Sequence, residues 1–196
     1  MKKKICDTAI ALLNEQSVNK TSFRDIATAL GISDGHVRYY FKTKEVLLLA
    51  LFEQLDKEVL AVAQQIKPNP DLKALIKAQL KEAFTIMVRY RFIFYEPPAT
   101  FNQFPKLQAA YQRLLTDRKT LFLSVFQELI TIGFFTPNFT PEKQEKVFYA
   151  LFVFSDSWIR YYTIMNNQSP NEEAIVFHSE VAFGLLEGYV SVSFIG

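Results

Sequence analysis

Cysteine is almost absent from this sequence. The single thiol, Cys6, leaves no partner for an internal disulfide, which fits a reducing compartment, and it falls on what reads as the buried face of the first helix. Histidine is nearly as scarce: His36 and His178 stand 142 positions apart, and there is no Gly-rich phosphate loop. No acid–base pair, activated nucleophile or metal-ligand set assembles from such a chain, so the expectation is a protein that is not an enzyme, with no metal and no cofactor. Glycine is sparse, 6 residues against 19 Phe, and alternating strand-like runs are few, which points to helix. No apolar run approaches the roughly 20 residues a bilayer requires. The richest, "VFYALFVFSDSWIRYY", is broken by Asp156 and Arg160. The opening "MKKKICDTAIALLNEQ" starts like a signal peptide, but Asp7, Asn14 and Glu15 interrupt its apolar stretch and no small-residue cleavage site follows. A soluble, cytoplasmic protein with no membrane partner is expected.

What is present is an ordinary globular composition, 49 % hydrophobic and 21 % charged, too apolar for a disordered chain. The net charge of +2 is unevenly divided. Residues 1–48 hold 8 of the 22 Lys and Arg and 5 of the 20 Asp and Glu, so a basic quarter precedes a nearly neutral body. That asymmetry points to a polyanion as partner of the first quarter.

Periodicity and punctuation predict about nine helices and no strand. The first covers 2–16, with Ile5, Ala9, Leu12 and Leu13 on one face. Ser22 caps a second, and Asp25 three residues on makes a capping box. It turns Phe23, Ile26, Ala27 and Leu30 inward and stops at Gly31. Ser33 caps a short third helix, and Thr43 a fourth running towards Ile66. "KPNPD" at 67–71 is the clearest break. Further helices are expected from Leu72 to Tyr95, from Pro105 or Leu107 to Ile132, from Pro141 to Met165, and from Glu172 to Val192.

Residues 22–41 behave as one unit. Two helices crossing steeply over a tight turn need a small residue at the contact, met by Ala27, and a positive φ in the turn, met by Gly31. Ile26, Leu30, Ile32 and Val37 form the small core that locks the angle. This is the spacing of a helix-turn-helix. With Val37 and Phe41 facing in, the third helix turns Gly35, His36, Arg38, Tyr39 and Tyr40 outward. Gly35 permits close backbone approach. His36 and Arg38 can donate to base-edge acceptors, and the tyrosines to phosphate. Lys42 and Lys44 extend the positive rim. The backbone N–H groups capped by Ser22 and Thr43 are further anion sites. The face suits the major groove of double-stranded DNA.

On these residues the stretch "TSFRDIATALGISDGHVRYYFKTKEVLLLAL" resembles the DNA-binding domain of the tetracycline-repressor (TetR) family of bacterial transcription regulators. The shared elements are Thr21, the "DIA" of 25–27, Gly31, Ser33, Gly35, Tyr40-Phe41 and Lys44-Glu45, within 5–52. The resemblance implies an N-terminal helix-turn-helix domain (1–46) and a helical ligand-binding and dimerisation domain (47–196), all-α throughout. The DNA-contacting set becomes Thr21, Ser22, Ser33, Gly35, His36, Arg38, Tyr39, Tyr40, Lys42 and Lys44. The family usually has Gly near Ser17, Thr or Ser at His36 and Tyr at Arg38, so the first helix ends differently here and the operator differs. A third possibility beside regulator and enzyme is a helical carrier of apolar ligands, or a protein-binding module, that no longer reads DNA.

The body is rich in aromatics: 16 of the 19 Phe, 7 of the 9 Tyr and the only Trp lie after residue 83. "RYRFIFYEPPATFNQF" packs six aromatics into 16 residues, more than one helical face buries. Aromatic walls with few polar groups line small-molecule pockets. The expected walls are Phe84, Met87, Tyr90, Phe94, Phe104, Phe122, Phe126, Phe152, Trp158 and Tyr161, with Arg160 able to meet a carboxylate. The resemblance implies that an apolar or aromatic effector bound there alters affinity for DNA. The last two helices, with Ala182, Gly184 and Gly188, are expected to pair with their copies in a homodimer reading a near-palindromic operator.

Overall fold

The computed structural model describes residues 1–66, 71–96 and 98–194. Residues 67–70 of the Pro-rich break expected at 67–71, and Pro97, lie outside them. Among the described residues there are ten α-helices: α1 (Lys2–Gln16), α2 (Phe23–Leu30), α3 (Asp34–Tyr40), α4 (Lys44–Ala63), α5 (Leu72–Arg89), α6 (Arg91–Tyr95), α7 (Pro98–Asn102), α8 (Pro105–Thr131), α9 (Pro141–Asn166) and α10 (Glu172–Glu187). A 3-10 turn covers Val192–Phe194, and among the described residues the only strand-like pairing is one antiparallel bridge between Phe135 and Val190. No helix of the described residues is long and apolar enough to cross a membrane.

Two elements depart from the periodicity. The single helix expected over 72–95 is broken at Tyr90, which takes φ −104° and ψ 29° between α5 and α6. The last helix ends at Glu187, because Gly188 and Tyr189 turn the chain back instead of continuing to Val192.

The residues form two compact units: 1–57 with 89–113, and 58–88 with 114–196. In the first, α1 buries Ile5, Cys6, Ala9, Ile10 and Leu13, and α2 buries Phe23, Ile26 and Ala27. Val37, Phe41, Leu47, Leu48, Leu51 and Phe52 complete that core. Phe92, Ile93 and Phe94 of α6 are buried in the same unit.

In the second unit α9 packs along α10. The α8–α9 connection carries an aromatic knot. Phe134 meets Phe194 at 5.2 Å, Phe126 meets Phe139 at 5.1 Å, and Phe139 stacks on Tyr189 at 4.3 Å. Gly133, at φ 77°, ends α8 in the left-handed region and turns the chain into the knot. The buried amide of Gln144 donates to the Phe139 carbonyl at 2.6 Å and accepts from Gln127 at 2.9 Å.

Candidate nucleic-acid interface and the helical body

Helix α2 starts on a complete capping box. The Ser22 hydroxyl accepts from the Asp25 N–H at 3.2 Å, and the Asp25 carboxylate accepts from the Ser22 N–H at 2.7 Å. The Ser22 hydroxyl also donates to the Asp25 carboxylate at 2.7 Å, and that bond, with the one from the Ser22 N–H, holds the Asp25 carboxyl below the usual carboxylate range. Gly31 takes φ 65° and ψ 32°, the left-handed cap the turn requires. Ser33 then accepts from the His36 N–H at 3.2 Å and opens α3.

On α3, Val37 is fully buried while His36, Arg38 and Tyr39 are exposed, Tyr39 by 71 %. Tyr40 is half-buried and packs its ring against His36 at 5.6 Å and Tyr39 at 5.1 Å. Lys42 lies over the Tyr39 ring at 5.9 Å. Arg38 is held from two sides: Nε donates to Asp34 Oδ2 at 2.6 Å, and the guanidinium lies 5.2 Å from the Phe23 ring centroid. An arginine ordered in this way meets an acceptor with less rotamer entropy to lose.

One member of the expected DNA-contacting set is placed otherwise. Thr21 is 2 % exposed, and its hydroxyl donates to the Ser17 carbonyl at 2.9 Å, so it closes the α1–α2 turn and does not face outward. Lys44 is half-buried. Burial pushes its ammonium pKa down, against the opposing pull of Glu96 and Asp25.

Three residues that periodicity did not single out build the surroundings of this head. Asn14 of α1 donates to the Arg89 carbonyl at 2.9 Å and accepts from the Phe92 N–H at 3.0 Å. Glu96, 7 % exposed, accepts from the Val18 N–H at 2.7 Å and from the Thr100 hydroxyl at 2.8 Å. Glu45 accepts from the Lys106 N–H at 2.8 Å, in the first turn of α8. Asn14 leaves no more trace in the sequence than a polar residue interrupting an apolar stretch, whereas Glu45 entered through the resemblance.

The expected pocket walls are drawn from both units. In the second unit Phe84 stacks on Trp158 at 5.2 Å, and Trp158 stacks on His178 at 4.7 Å. His178 Nδ1 lies 2.7 Å from the Ala174 carbonyl. The buried Trp158 Nε1 has no hydrogen-bond partner among the described residues. Phe122 belongs to a separate group, 6.0 Å from Phe126 and 5.7 Å from Phe148, which reaches Phe152 at 5.9 Å. Met87 is buried on α5. Tyr90, Phe94 and Phe104 belong to the first unit. Tyr161 is 62 % exposed and Arg160 is exposed, so both stand outside the aromatic interior. Among the described residues of the second unit, Arg118 is buried.

Of the small residues on α10 and at its C-cap, Ala182 is fully buried in its own unit, whereas Gly184 and the capping Gly188 are exposed, with open space where a Cβ would stand.

Comparison with known proteins agrees with this architecture along the whole chain. Residues 5–51 match the family described as bacterial regulatory proteins of the tetR family, and residues 48–194 match TetR, bacterial transcriptional repressor. A TetR-family transcriptional regulator from Marinobacter aquaeolei VT8 has the same fold, with a TM-score of 0.84 at 16 % identity over 99 % of this chain and 93 % of that one. The fatty acid degradation regulator FadR of Bacillus halodurans superposes with a TM-score of 0.70 at 17 % identity, over 93 % of this chain and 94 % of that one. The fatty acid metabolism regulator protein of Bacillus subtilis (strain 168) is 26 % identical over 84 residues. That match spans 42 % of this chain and 43 % of the relative, less than half the length of either. With both parts of its length matched, the chain belongs to the TetR family: it is a helix-turn-helix, DNA-binding transcriptional regulator and not an enzyme.

Proposed function

We propose that the chain is a homodimeric repressor that reads a near-palindromic operator with α3 and is released from it by a long-chain acyl compound. The observation that carries the DNA reading is the outer face of α3: Val37 and Phe41 are buried beneath an exposed Gly35, His36, Arg38 and Tyr39, with Lys42 beside them. Arg38 and His36 suit base edges, and Lys42 and Tyr39 suit phosphate.

One short helix reads too few bases to specify a site, so two copies are needed. The surface for pairing is an exposed apolar stripe. On α9 it consists of Val153, Tyr161 and Ile164, exposed by 61 %, 62 % and 73 %, and on α10 of Phe177, exposed by 62 %, with Gly184 and Gly188 on the same side. Burying such a stripe against its own copy removes apolar area from water and brings bare helix backbone into close contact. The two heads would then address half-sites about 34–36 Å apart, or a multiple of that.

The acyl class is supported by the two relatives named for fatty acid metabolism and degradation, and by the aromatic interior around Phe84, Trp158 and Phe122. A buried donor without an acceptor costs about 1–3 kcal/mol. A carbonyl oxygen on the ligand would remove that cost at Trp158 Nε1, and a carboxylate would find Arg118 on α8 rather than the outward-facing Arg160.

The experiment is to recover genomic fragments bound by the purified protein, measure affinity against salt, and challenge the complex with acyl compounds of increasing chain length. The reading requires a near-palindromic fragment, a steep loss of affinity with salt, and release by long but not short chains. Equal binding to recovered and random fragments would leave a helical carrier of apolar ligands or a protein-binding module, and release by no acyl compound would remove the effector assignment.

A further inference from the structure

An acidic residue stands on the helix that carries the basic reading face. Asp34, in the first turn of α3, shares a side of the helix with Arg38 four residues on. A carboxylate brought towards phosphates is repelled by them. An exposed ion pair of this spacing contributes little to stability, so stability does not account for the acid. The pair is also particular to this chain, because Arg38 occupies a position where the family usually has an uncharged Tyr.

The geometry gives Asp34 another role. Its Oδ2 accepts from Arg38 Nε at 2.6 Å, while its Oδ1 is closed to solvent and has no hydrogen-bond partner among the described residues. With one oxygen engaged and the other shut away, Asp34 is poorly placed to accept from a cytosine amino group, the usual base contact of an acid. It acts on Arg38 instead. The second hold on Arg38 is the ring of Phe23, the first residue of α2, whose centroid lies 5.2 Å from the guanidinium carbon. Phe23 is 7 % exposed, so the ring is a fixed part of the core. The carboxylate occupies Nε and the ring covers one face, which leaves the two Nη groups at the tip for a partner. Two donors at a fixed angle match the O6 and N7 acceptors of guanine.

We propose that Asp34 and Phe23 are positioning residues that make Arg38 a guanine reader, and that Asp34 also holds down binding to all other sequences. The inference rests on the operator-binding reading above. Its second half follows from charge. Paired, Asp34 and Arg38 bring no net charge to a phosphate backbone, whereas Arg38 alone would bring one positive charge to any sequence. Removing the acid therefore tightens the hold on random DNA and weakens the choice of base. A merely structural Asp34 would do neither, since a damaged head loses affinity for every duplex.

The measurement is equilibrium binding over a range of salt. The duplexes are the recovered operator, operators with each G·C pair replaced in turn, and random DNA. Wild type is expected to prefer guanine by about 5–140-fold at one position of each half-site, the span of a bidentate contact, and R38A to lose that preference. D34A should lose about 2–12-fold of it at the same position, the cost of immobilising one long side chain at binding. It should also bind random DNA more tightly, with a salt slope steeper by about one unit. D34N keeps an acceptor for Nε without the charge, so it should match D34A on random DNA and retain more of the guanine preference. F23L keeps an apolar side chain in the core but loses the ring face, which reduces the preference without tightening random binding. In an R38A background, D34A should change base preference no further, the mark of a residue acting through another. Thermal melts identify any variant that is merely unfolded, and the near-isosteric D34N then carries the test. The proposal is overturned if D34A leaves the guanine preference intact, shifts preference at a different base, or weakens operator and random DNA alike. If R38A itself leaves base preference untouched, the reading of α3 falls, and the roles of Asp34 and Phe23 with it.

Discussion

Replacing Ser17 by glycine is expected to stabilise the protein. Ser17 ends α1 at φ 78° and ψ 163°, a region that is almost exclusively glycine territory because a Cβ there crowds the flanking backbone. Its useful contributions are made by the main chain: its N–H donates to the Leu13 carbonyl at 3.1 Å, and its carbonyl accepts the Thr21 hydroxyl at 2.9 Å. Glycine keeps both. A residue held in such a region costs about 1–3 kcal/mol. Glycine gives back about 0.4–1 kcal/mol through the greater freedom of its unfolded chain. The net gain is therefore about 0–2.6 kcal/mol, centred near about 1.3, which at about 2–4 °C per kcal/mol for a domain of this size raises Tm by about 3–5 °C at that centre. Melting must be compared at one protein concentration, because association contributes to apparent stability. S17A is the control: it keeps the Cβ and the strain, and should melt close to wild type. If S17G melts at or below wild type while S17A does not fall, the strain argument is wrong.

R38A should lose about 1–3 kcal/mol at the base it reads and relax preference there, whereas K42A should weaken all sequences alike and flatten the salt slope by about one unit; an equal loss for R38A on operator and random DNA would remove Arg38 from the base edges. F177E places a charge in the centre of the exposed stripe, so sedimentation should show monomers at micromolar concentration and operator affinity should collapse; a dimer that persists would move the interface elsewhere. Burial pushes the Cys6 thiol above its ordinary pKa of 9.0, against the opposing influence of Lys2. At pH 8 the folded protein should therefore react with a disulfide reagent far more slowly than in denaturant, and equal rates would contradict that burial.

The head was legible in the sequence because its signals are local. Ser22 and Asp25, Gly31, and Ser33 each act within three or four residues, and the structure gives every one the bond or dihedral its spacing implied. The α5–α6 break was not legible, since its stabiliser lies 75 and 78 positions away in α1 and Asn14 reads locally as no more than an interruption of an apolar face. Thr21 entered the contacting set through the family resemblance, and only the third dimension shows the Ser17 carbonyl accepting its hydroxyl. The division of α10 could have been read more closely. At about 100° per residue, positions two apart face nearly opposite ways and positions four apart nearly the same way. Ala182 is accordingly buried while Gly184 and Gly188 share the open side.

The three side chains that reach between the N-terminal segment and residues 89–113 bear on how such regulators can be recombined. A chimera that grafts this reading head onto a foreign body, with the crossover near residue 46, would carry Asn14 and the Val18 N–H away from Arg89, Phe92 and Glu96, and Glu45 away from Lys106. Unless the recipient happens to supply substitutes, Glu96 in the reciprocal graft would keep a largely buried carboxylate without its Val18 donor. The natural module for transplantation is discontinuous, residues 1–57 together with 89–113, so exchanging operator specificity between relatives requires moving two separate pieces of the gene at once.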